Sequence, residues 1–525
     1  MSKQTFLKGT FILVMAGLIT RILGFINRIV VARIMGQEGV GLYMMAVPTL
    51  LLTITLTQLG LPVAISKLVA EAEAMGDKRK VKRILVVSLS ITIILSIIFT
   101  SGMILLAPFL AKTMLTDART YYPLIAISPI VPIVAISAVL RGYFQGMQNM
   151  RPSAYSQVIE QVVRITLVAV LTKAFLPYGI EFAAAGAMFS VVLGELASLV
   201  YMITMFKLKK RVKVRRNFFK QLAKGKETFQ SLMAVALPTT GSRLIGSLSY
   251  FFEPIAVAQS LAIAGIATSI ATKQYGELAG FAVPLLFLPT FITYSISTSL
   301  VPAISEAKAQ KKYILIEHRL QQAMRLALIS GGISFVVLYV FAVPIMDLMY
   351  NAPKVAVYVE VLAPFFIFLY FQGPLQATLQ ALELAKAAMI NSLIGAVVRI
   401  LAIFALTSRP DLGIMGAALA LGLGIVLVTL LHFATVVKAI GFSIYIRDYA
   451  KAILIIIISG IAGHQLYTNV FTSFNLLGNT ILAISSTVII YSVFLLLFNL
   501  IKRKEVLLIP VIGKPLALLI PKNKK

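Results

Sequence analysis

The chain has 525 residues, 59% of them hydrophobic and only 13% charged, with a mean hydropathy of +0.93 and a formal net charge of +29. That composition excludes a soluble globular protein, in which charged residues make up about a quarter of the chain. The absence of cysteine excludes disulfides, thiol catalysis and cysteine metal sites.

A spanning helix needs about 20 mostly apolar residues. Fourteen such runs read off in chain order: 9–34, 40–70, 84–112, 121–146, 153–176, 182–206, 231–260, 274–305, 320–350, 358–382, 387–408, 412–437, 450–468 and 479–500. The first is too long for a signal peptide, carries Arg21 and Arg28, and shows no small-residue cleavage site, so it is expected to stay as an uncleaved helix. Residues 1–206 are expected to form an N-lobe of six helices. Residues 207–230 are expected to be a basic cytoplasmic linker, with ten Lys/Arg between Lys207 and Lys226. Residues 231–440 are expected to form a C-lobe of six helices, and 441–525 to add helices 13 and 14 and a basic tail.

Charge sets the orientation, because positive residues gather on the cytoplasmic side. With the N-terminus inside, the outer segments hold only Lys112, Arg119, Lys173, Lys273, Lys354 and Arg409. Arg21, Arg28, Arg33, Arg141, Arg164, Arg243, Arg325 and Arg399 fall within spans, and the other 34 of the 48 Lys/Arg lie inside. The expected protein is therefore a multi-pass protein of the cell membrane with both termini cytoplasmic. Its basic loops are suited to anionic lipid heads, and no nucleic acid partner is expected.

Three matches recur in the same order in the two halves. Thr20-Arg21-Ile22-Leu23-Gly24 pairs with Ser242-Arg243-Leu244-Ile245-Gly246. Pro62 with Ala64-Ile65-Ser66 pairs with Pro302-Ala303-Ile304-Ser305. Val162-Val163-Arg164-Ile165 pairs with Val397-Val398-Arg399-Ile400. Six helices per half is an even number, so the repeats run parallel, related by an axis along the membrane normal. The expected fold is an all-α integral membrane protein of fourteen transmembrane helices: two parallel six-helix lobes around a central cavity, plus two extra C-terminal helices.

A charge at the bilayer centre costs about 2.5–3.5 kcal/mol on insertion scales, so charged residues within spans are the candidate functional groups. Arg21 lies ~20 Å along the first span, and Arg243 ~18 Å along the seventh, both past the reach of easy snorkelling. Their repeated placement points to anion coordination; the structural alternative is an intramembrane ion pair or a cap on a broken helix. Gly17, Arg21, Gly24 and Arg28 share one helix face, with Arg28 equally suited to snorkelling or substrate contact. Arg243, Gly246, Tyr250 and Glu253 share another, where Glu253 either pairs with an arginine or binds a coupling cation. Glu160 and Arg164, four residues apart, suit either a local ion pair or a substrate site. Glu195 and His432 stand alone in their spans and read as packed polar residues. Intramembrane prolines, among them Pro48, Pro62, Pro238, Pro254, Pro284, Pro289 and Pro364, allow helices to bend. No phosphate-cradling glycine loop, metal-ligand cluster or nucleophile–base pair is evident, so neither an enzyme nor a cofactor is expected.

The stretches Phe6-Leu7-Lys8-Gly9-Thr10, Arg21-Ile22-Leu23-Gly24-Phe25, Gly39-Val40-Gly41-Leu42-Tyr43, Gly60-Leu61-Pro62-Val63-Ala64-Ile65-Ser66-Lys67 and Leu140-Arg141-Gly142-Tyr143-Phe144-Gln145-Gly146 carry a resemblance. Together they resemble the polysaccharide-biosynthesis branch, which includes the lipid II flippases, of the multidrug/oligosaccharidyl-lipid/polysaccharide exporter superfamily. The resemblance implies an exporter that flips a lipid-linked glycan with a pyrophosphate headgroup. For the sporulation proteins of this branch the implied cargo is undecaprenyl-pyrophosphate-linked peptidoglycan precursor for the spore cortex. The flippases' cavity arginine in helix 1 matches Arg21; their next falls on Asn27 rather than Arg28. An arginine expected early in helix 8 is replaced by Tyr275-Gly276-Glu277, and Arg243 is the candidate to take its place. The expected activity is alternating-access transport using Arg21 and Arg243, with Arg28, Glu253, Glu160 and Arg164 as further substrate-binding candidates and a cation as candidate coupling partner. The alternatives are a cation-coupled multidrug exporter of the same fold and a non-transporting cell-wall scaffold.

Overall fold

The computed structural model describes residues 3–209, 218–443 and 446–501. The helices, in chain order, are α1 (Lys3–Gln58), α2 (Leu61–Ala74), α3 (Lys78–Phe109), α4 (Tyr121–Ile127), α5 (Ile130–Gly146), α6 (Arg151–Phe175) and α7 (Ile180–Lys209). They continue with α8 (Phe218–Ala223), α9 (Lys226–Ile263), α10 (Thr268–Tyr275), α11 (Val283–Phe287), α12 (Thr290–Ala309) and α13 (Tyr313–Val340). The last are α14 (Ala342–Tyr350), α15 (Ala356–Ala381), α16 (Ala385–Thr407), α17 (Ile414–Ile440), α18 (Ile446–Gln465) and α19 (Leu476–Leu497). No strand occurs among the described residues. An all-helical chain is what a bilayer demands, since each helix satisfies its own backbone groups.

All fourteen predicted runs fall on helix. Ten stretches of the described residues are long and apolar enough to cross a membrane, and an eleventh counts if Thr268–Phe287 and Thr290–Ala309, bent by 50°, form one span. The difference from fourteen has two physical sources. The stretch Met15–Ala74 holds the first two predicted runs, separated by a break at Gly36, whose backbone (φ 67°, ψ −169°) is open to glycine alone. The fifth and seventh runs lie on α6 and α9, long helices that are more polar than the rest because they carry Gln157, Glu160, Gln161, Arg164, Arg243 and Glu253.

Most intramembrane prolines do not break their helices. Pro48, Pro238, Pro254, Pro302, Pro364 and Pro374 all lie inside continuous helix. The bend before α12 is at Leu288-Pro289. A second break, at Leu59-Gly60, falls inside the second predicted run and separates α1 from α2.

The chain gathers into two compact units, Met1–Phe281 with Ile400–Gly416, and Ala282–Arg399 with Ala417–Lys525. In the first, Leu61, Ile65, Ile84, Phe144, Met202 and Leu232 form a buried apolar cluster. Gly142 and Gly146 bring α5 onto α2, where added Cβ atoms would stand 2.8 Å from the Pro62 carbonyl and 2.7 Å from that of Ser66. In the second, Leu320, Met324, Leu375, Ile455 and Tyr491 form the corresponding core, and the Tyr491 hydroxyl donates to the Ile329 carbonyl at 2.9 Å.

The structure adds a further element to the internal repeat. Gly194 of α7 packs on α6, its added Cβ 3.2 Å from Cβ of Arg164; Gly424 of α17 packs on α16, its added Cβ 3.0 Å from Cβ of Arg399. Each half thus seats its repeated arginine against a glycine of the following helix.

Gly60 meets two demands at once. Its φ is +64°, and an added Cβ would stand 2.7 Å from the Ala236 carbonyl and 2.3 Å from the Thr239 hydroxyl of α9. The left-handed conformation alone costs an L-residue about 1–2 kcal/mol. Gly60→Ala is therefore expected to lower the thermal unfolding midpoint in detergent clearly, whereas Gly76→Ala, at the same sign of φ but with open space around it, should lower it less.

Candidate functional site

The two repeated arginines are exposed on their helices, Arg21 on α1 and Arg243 on α9, and so is Arg28. The glycines beside them are not there for helix packing. An added Cβ at Gly17, Gly241 or Gly246 would meet no atom within 4 Å, and one at Gly24 would reach only Gln161 Oε1, at 3.9 Å. These faces are open, in contrast to Gly142, Gly146 and Gly194, which are closely packed. Gln161 Oε1 is buried without a hydrogen-bond partner among the described residues, a further polar group at the edge of the α1 face. Glu253 is buried, at 9% exposure, and precedes Pro254 on α9.

Glu160 and Arg164 are paired, and the pair is part of a larger group. Arg164 Nη2 donates to Glu160 Oε1. Arg141 of α5 lies 3.6 Å from Glu160 Oε2 and donates to Glu195 Oε1 of α7 at 2.8 Å. The Ser198 hydroxyl is 3.4 Å from the same guanidinium. Glu195, expected to stand alone, is thus the ion partner of Arg141. Two arginines and two acids from three helices form one network, which is how charges within a membrane are made tolerable. The equivalent place in the second half has no acids: Gly395 stands where Glu160 would be and packs on Val428, and Ile425 follows Gly424 where Glu195 follows Gly194.

A second polar group lies at the end of the first unit that the charge count assigns to the outer face. Arg119 forks onto Asp117 through Nε (3.1 Å) and Nη2 (2.9 Å) and also reaches Glu38 at 2.8 Å. Asp117 accepts in turn from the Thr272 hydroxyl of α10 at 2.7 Å. Here α1 and α10 meet backbone to backbone. An added Cβ at Gly41 would stand 2.0 Å from the Thr272 carbonyl, and one at Gly276 would stand 2.2 Å from that of Gln37. Only glycine allows this approach.

Burial opposes ionisation of Asp117, but the hydrogen bonds from Arg119 and Thr272 and the Arg119 charge outweigh it and hold the carboxyl below its ordinary value. A carboxyl depressed in the folded state stabilises above its unfolded pKa, and that contribution is lost as pH falls through the folded one. Asp117→Asn is expected to be less stable than the parent at pH 7, with the gap closing below about pH 4; thermal melts in detergent across that range measure it.

Sequence reading identified Glu160–Arg164 through its four-residue spacing and missed Arg141, Glu195, Glu38, Asp117, Arg119 and Thr272 as partners. His432 is buried, at 2% exposure, and contacts Asn391 through Nδ1 at 3.2 Å, as a packed polar residue does. Among the described residues no group of three His, Asp or Glu side chains could hold a metal ion.

Comparison with known proteins gives consistent matches. Residues 6–308 match the family model described as Polysaccharide biosynthesis protein, and residues 254–404 match the MatE model. The chain is 62% identical over 514 residues to Stage V sporulation protein B of Bacillus subtilis (strain 168), covering 98% of this chain and 99% of that protein. It is 24% identical over 500 residues to Lipid II flippase MurJ of the same organism, covering 87% of each. Among solved structures, Lipid II flippase MurJ in an inward closed conformation superposes with a TM-score of 0.70 at 15% identity, covering 93% of this chain and 98% of that one.

Proposed function

The chain belongs to the polysaccharide biosynthesis protein family, and from that premise we propose that it is a flippase that carries a lipid-linked glycan across the cell membrane by alternating access. It is a multi-pass membrane transporter and not an enzyme, as its family and fold relatives are. The observation that carries the finer reading is the pair of repeat-related arginines, Arg21 and Arg243, exposed on helix faces whose glycines have open space beside them. Guanidinium forks bind phosphate oxygens in pairs. A pyrophosphate headgroup is the matching cargo, with the polyprenyl tail left in the bilayer.

The relative named as a sporulation protein favours undecaprenyl-pyrophosphate-linked peptidoglycan precursor for the spore cortex as that cargo. The asymmetry of Lys and Arg along the sequence supports cytoplasmic termini, with the basic segments on the side of the anionic lipids. The Gly41–Thr272 and Gly276–Gln37 approach is then the closed outer side of the transport path. A cation-coupled drug exporter is the weaker reading, because Glu160 and Glu195 are each neutralised by arginine rather than left to attract a cationic substrate.

Reconstitution tests the proposal. Proteoliposomes loaded with fluorescent lipid-linked peptidoglycan precursor should expose it to the opposite leaflet faster than protein-free vesicles, with and without an imposed membrane potential compared. Translocation no faster than in protein-free vesicles under both conditions would overturn the flippase reading.

A further inference from the structure

The fold gathers much of the positive charge of the first unit into one surface. We propose that the first two turns of α3, α8 and the start of α9 bind anionic phospholipid headgroups of the cytoplasmic leaflet, with Phe219 seated at the edge of the acyl chains. This names a site for the attraction between the basic segments and anionic lipids, and it rests on the cytoplasmic placement of this end, not on flippase activity.

Four observations carry it. First, two distant segments meet here. Arg83 Nε donates to Gln221 Oε1 at 3.5 Å, across 138 residues of sequence, and an added Cβ at Gly225 would stand 2.6 Å from Val87 Cγ2. Val87 is one turn beyond Arg83, so α8 runs beside α3 toward the membrane. Phe219 therefore stands level with the opening of α3, ahead of the exposed apolar face that α3 presents from Ile93 onward.

Second, the surface is cationic. α3 opens Lys78-Arg79-Lys80-Val81-Lys82-Arg83, and the ten Lys/Arg from Lys207 to Lys226 have no acid among them. Lys78, Arg79, Lys224 and Lys226 are exposed, and among the described residues none of these four makes an ion pair. Asp77, just before α3, is engaged as its cap, accepting from the Lys80 backbone N–H at 2.9 Å. The cations at the opening of α3 repel one another and oppose the positive end of their own helix dipole. Anions supplied from outside relieve both effects.

Third, apolar side chains stand among these charges. Phe219 is 82% exposed, with its ring edge-on to Phe218, and Met75 is 75% exposed at the end of α2. Cations beside an exposed aromatic are the combination that interfacial anchors use, and an anionic leaflet supplies both the charge and the apolar bed. Fourth, the second half packs its equivalent segment without such charge. There α13 follows the Pro302 motif as α3 follows the Pro62 motif, and its opening Tyr313-Ile314-Leu315-Ile316-Glu317-His318 contains no Lys or Arg. Glu317 Oε1 accepts from the Ser443 backbone N–H at 3.2 Å and from its hydroxyl at 2.7 Å. Holding the following chain against this helix therefore does not require the cations of the first half.

The chain has no tryptophan, so Phe219→Trp introduces a single fluorophore. In nanodiscs of phosphatidylcholine and phosphatidylglycerol, its emission should be quenched several-fold more strongly by brominated phosphatidylglycerol than by the same fraction of brominated phosphatidylcholine. High salt should shrink that preference. The exposed-site substitutions Lys78→Gln/Arg79→Gln/Lys224→Gln/Lys226→Gln should abolish it. Ile97→Trp, on the exposed apolar face of α3, should be quenched equally by both lipids in the parent and the substituted protein, which establishes that each is folded into the bilayer. Equal quenching of Phe219→Trp by the two lipids, no quenching, or a preference untouched by the four substitutions would overturn the lipid surface. Relief of the quenching by a few molecules of lipid-linked precursor per protein would also overturn it, because the precursor would then be the occupant. Labelling of Lys224→Cys by a membrane-impermeant thiol reagent in intact cells would refute the cytoplasmic placement instead. The nanodiscs, which offer the same lipids to both faces, would still decide whether the surface takes anionic lipid.

Discussion

Arg21→Ala and Arg243→Ala are each expected to abolish translocation of lipid-linked precursor while leaving the protein in the membrane at the parent level. A charge-assisted hydrogen bond contributes roughly 1.5–3 kcal/mol, and a guanidinium fork makes two. Losing one fork should cost on the order of a hundredfold in headgroup affinity. Folding should change little, because both side chains are exposed and the glycines beside them meet no close neighbour. Lysine keeps the charge but not the fork, so Arg21→Lys and Arg243→Lys should retain a measurable fraction of activity. Arg28 provides the contrast. It sits one turn beyond Gly24 and suits snorkelling as well as binding, so Arg28→Ala should lose less. Full transport by both alanine variants would remove the repeated pair from the site.

The sequence made the helices legible because the bilayer leaves few choices. About 20 apolar residues are needed to cross it, and even the polar α6 and α9 kept enough apolar residues to be recognised. The break at Leu59-Gly60 was not legible, because the apolar run continues through it unchanged and Pro62 alone does not say where the backbone turns. Glu160–Arg164 could be read from its spacing on one helix. Arg141–Glu195 could not: the two are 54 residues apart on different helices, and nothing local ties them together. The same holds for Asp117 and Thr272, which are 155 residues apart. Gly194 and Gly424 escaped notice because a glycine in an apolar helix is too common to count as a repeat until it is seen under an arginine.

Joining Val40 to Gly280 through cysteines is expected to stop transport, and reduction to restore it. A Cβ added at Gly280 would stand 3.6 Å from Cβ of Val40, close to the mean of about 3.8 Å for disulfides. The chain has no cysteine of its own, so Val40→Cys/Gly280→Cys introduces a single bridge. Both residues flank the place where Gly41 meets Thr272 and Gly276 meets Gln37. If that approach is the closed outer side of the path, the bridge holds it shut and the headgroup has no exit. Gly41→Val tests the opposite distortion. Its Cβ would enter the Thr272 carbonyl at 2.0 Å, so the contact cannot form and the outer side cannot close. Each variant should lose alternation, one locked shut and one wedged open, and only the first should recover with a reducing agent. Single-cysteine labelling from the outer side separates the two states, because a thiol placed on the Arg21 face should be protected in the bridged protein and accessible in Gly41→Val. Undiminished flipping by the fully bridged protein would show that this approach persists throughout the cycle and does not gate it.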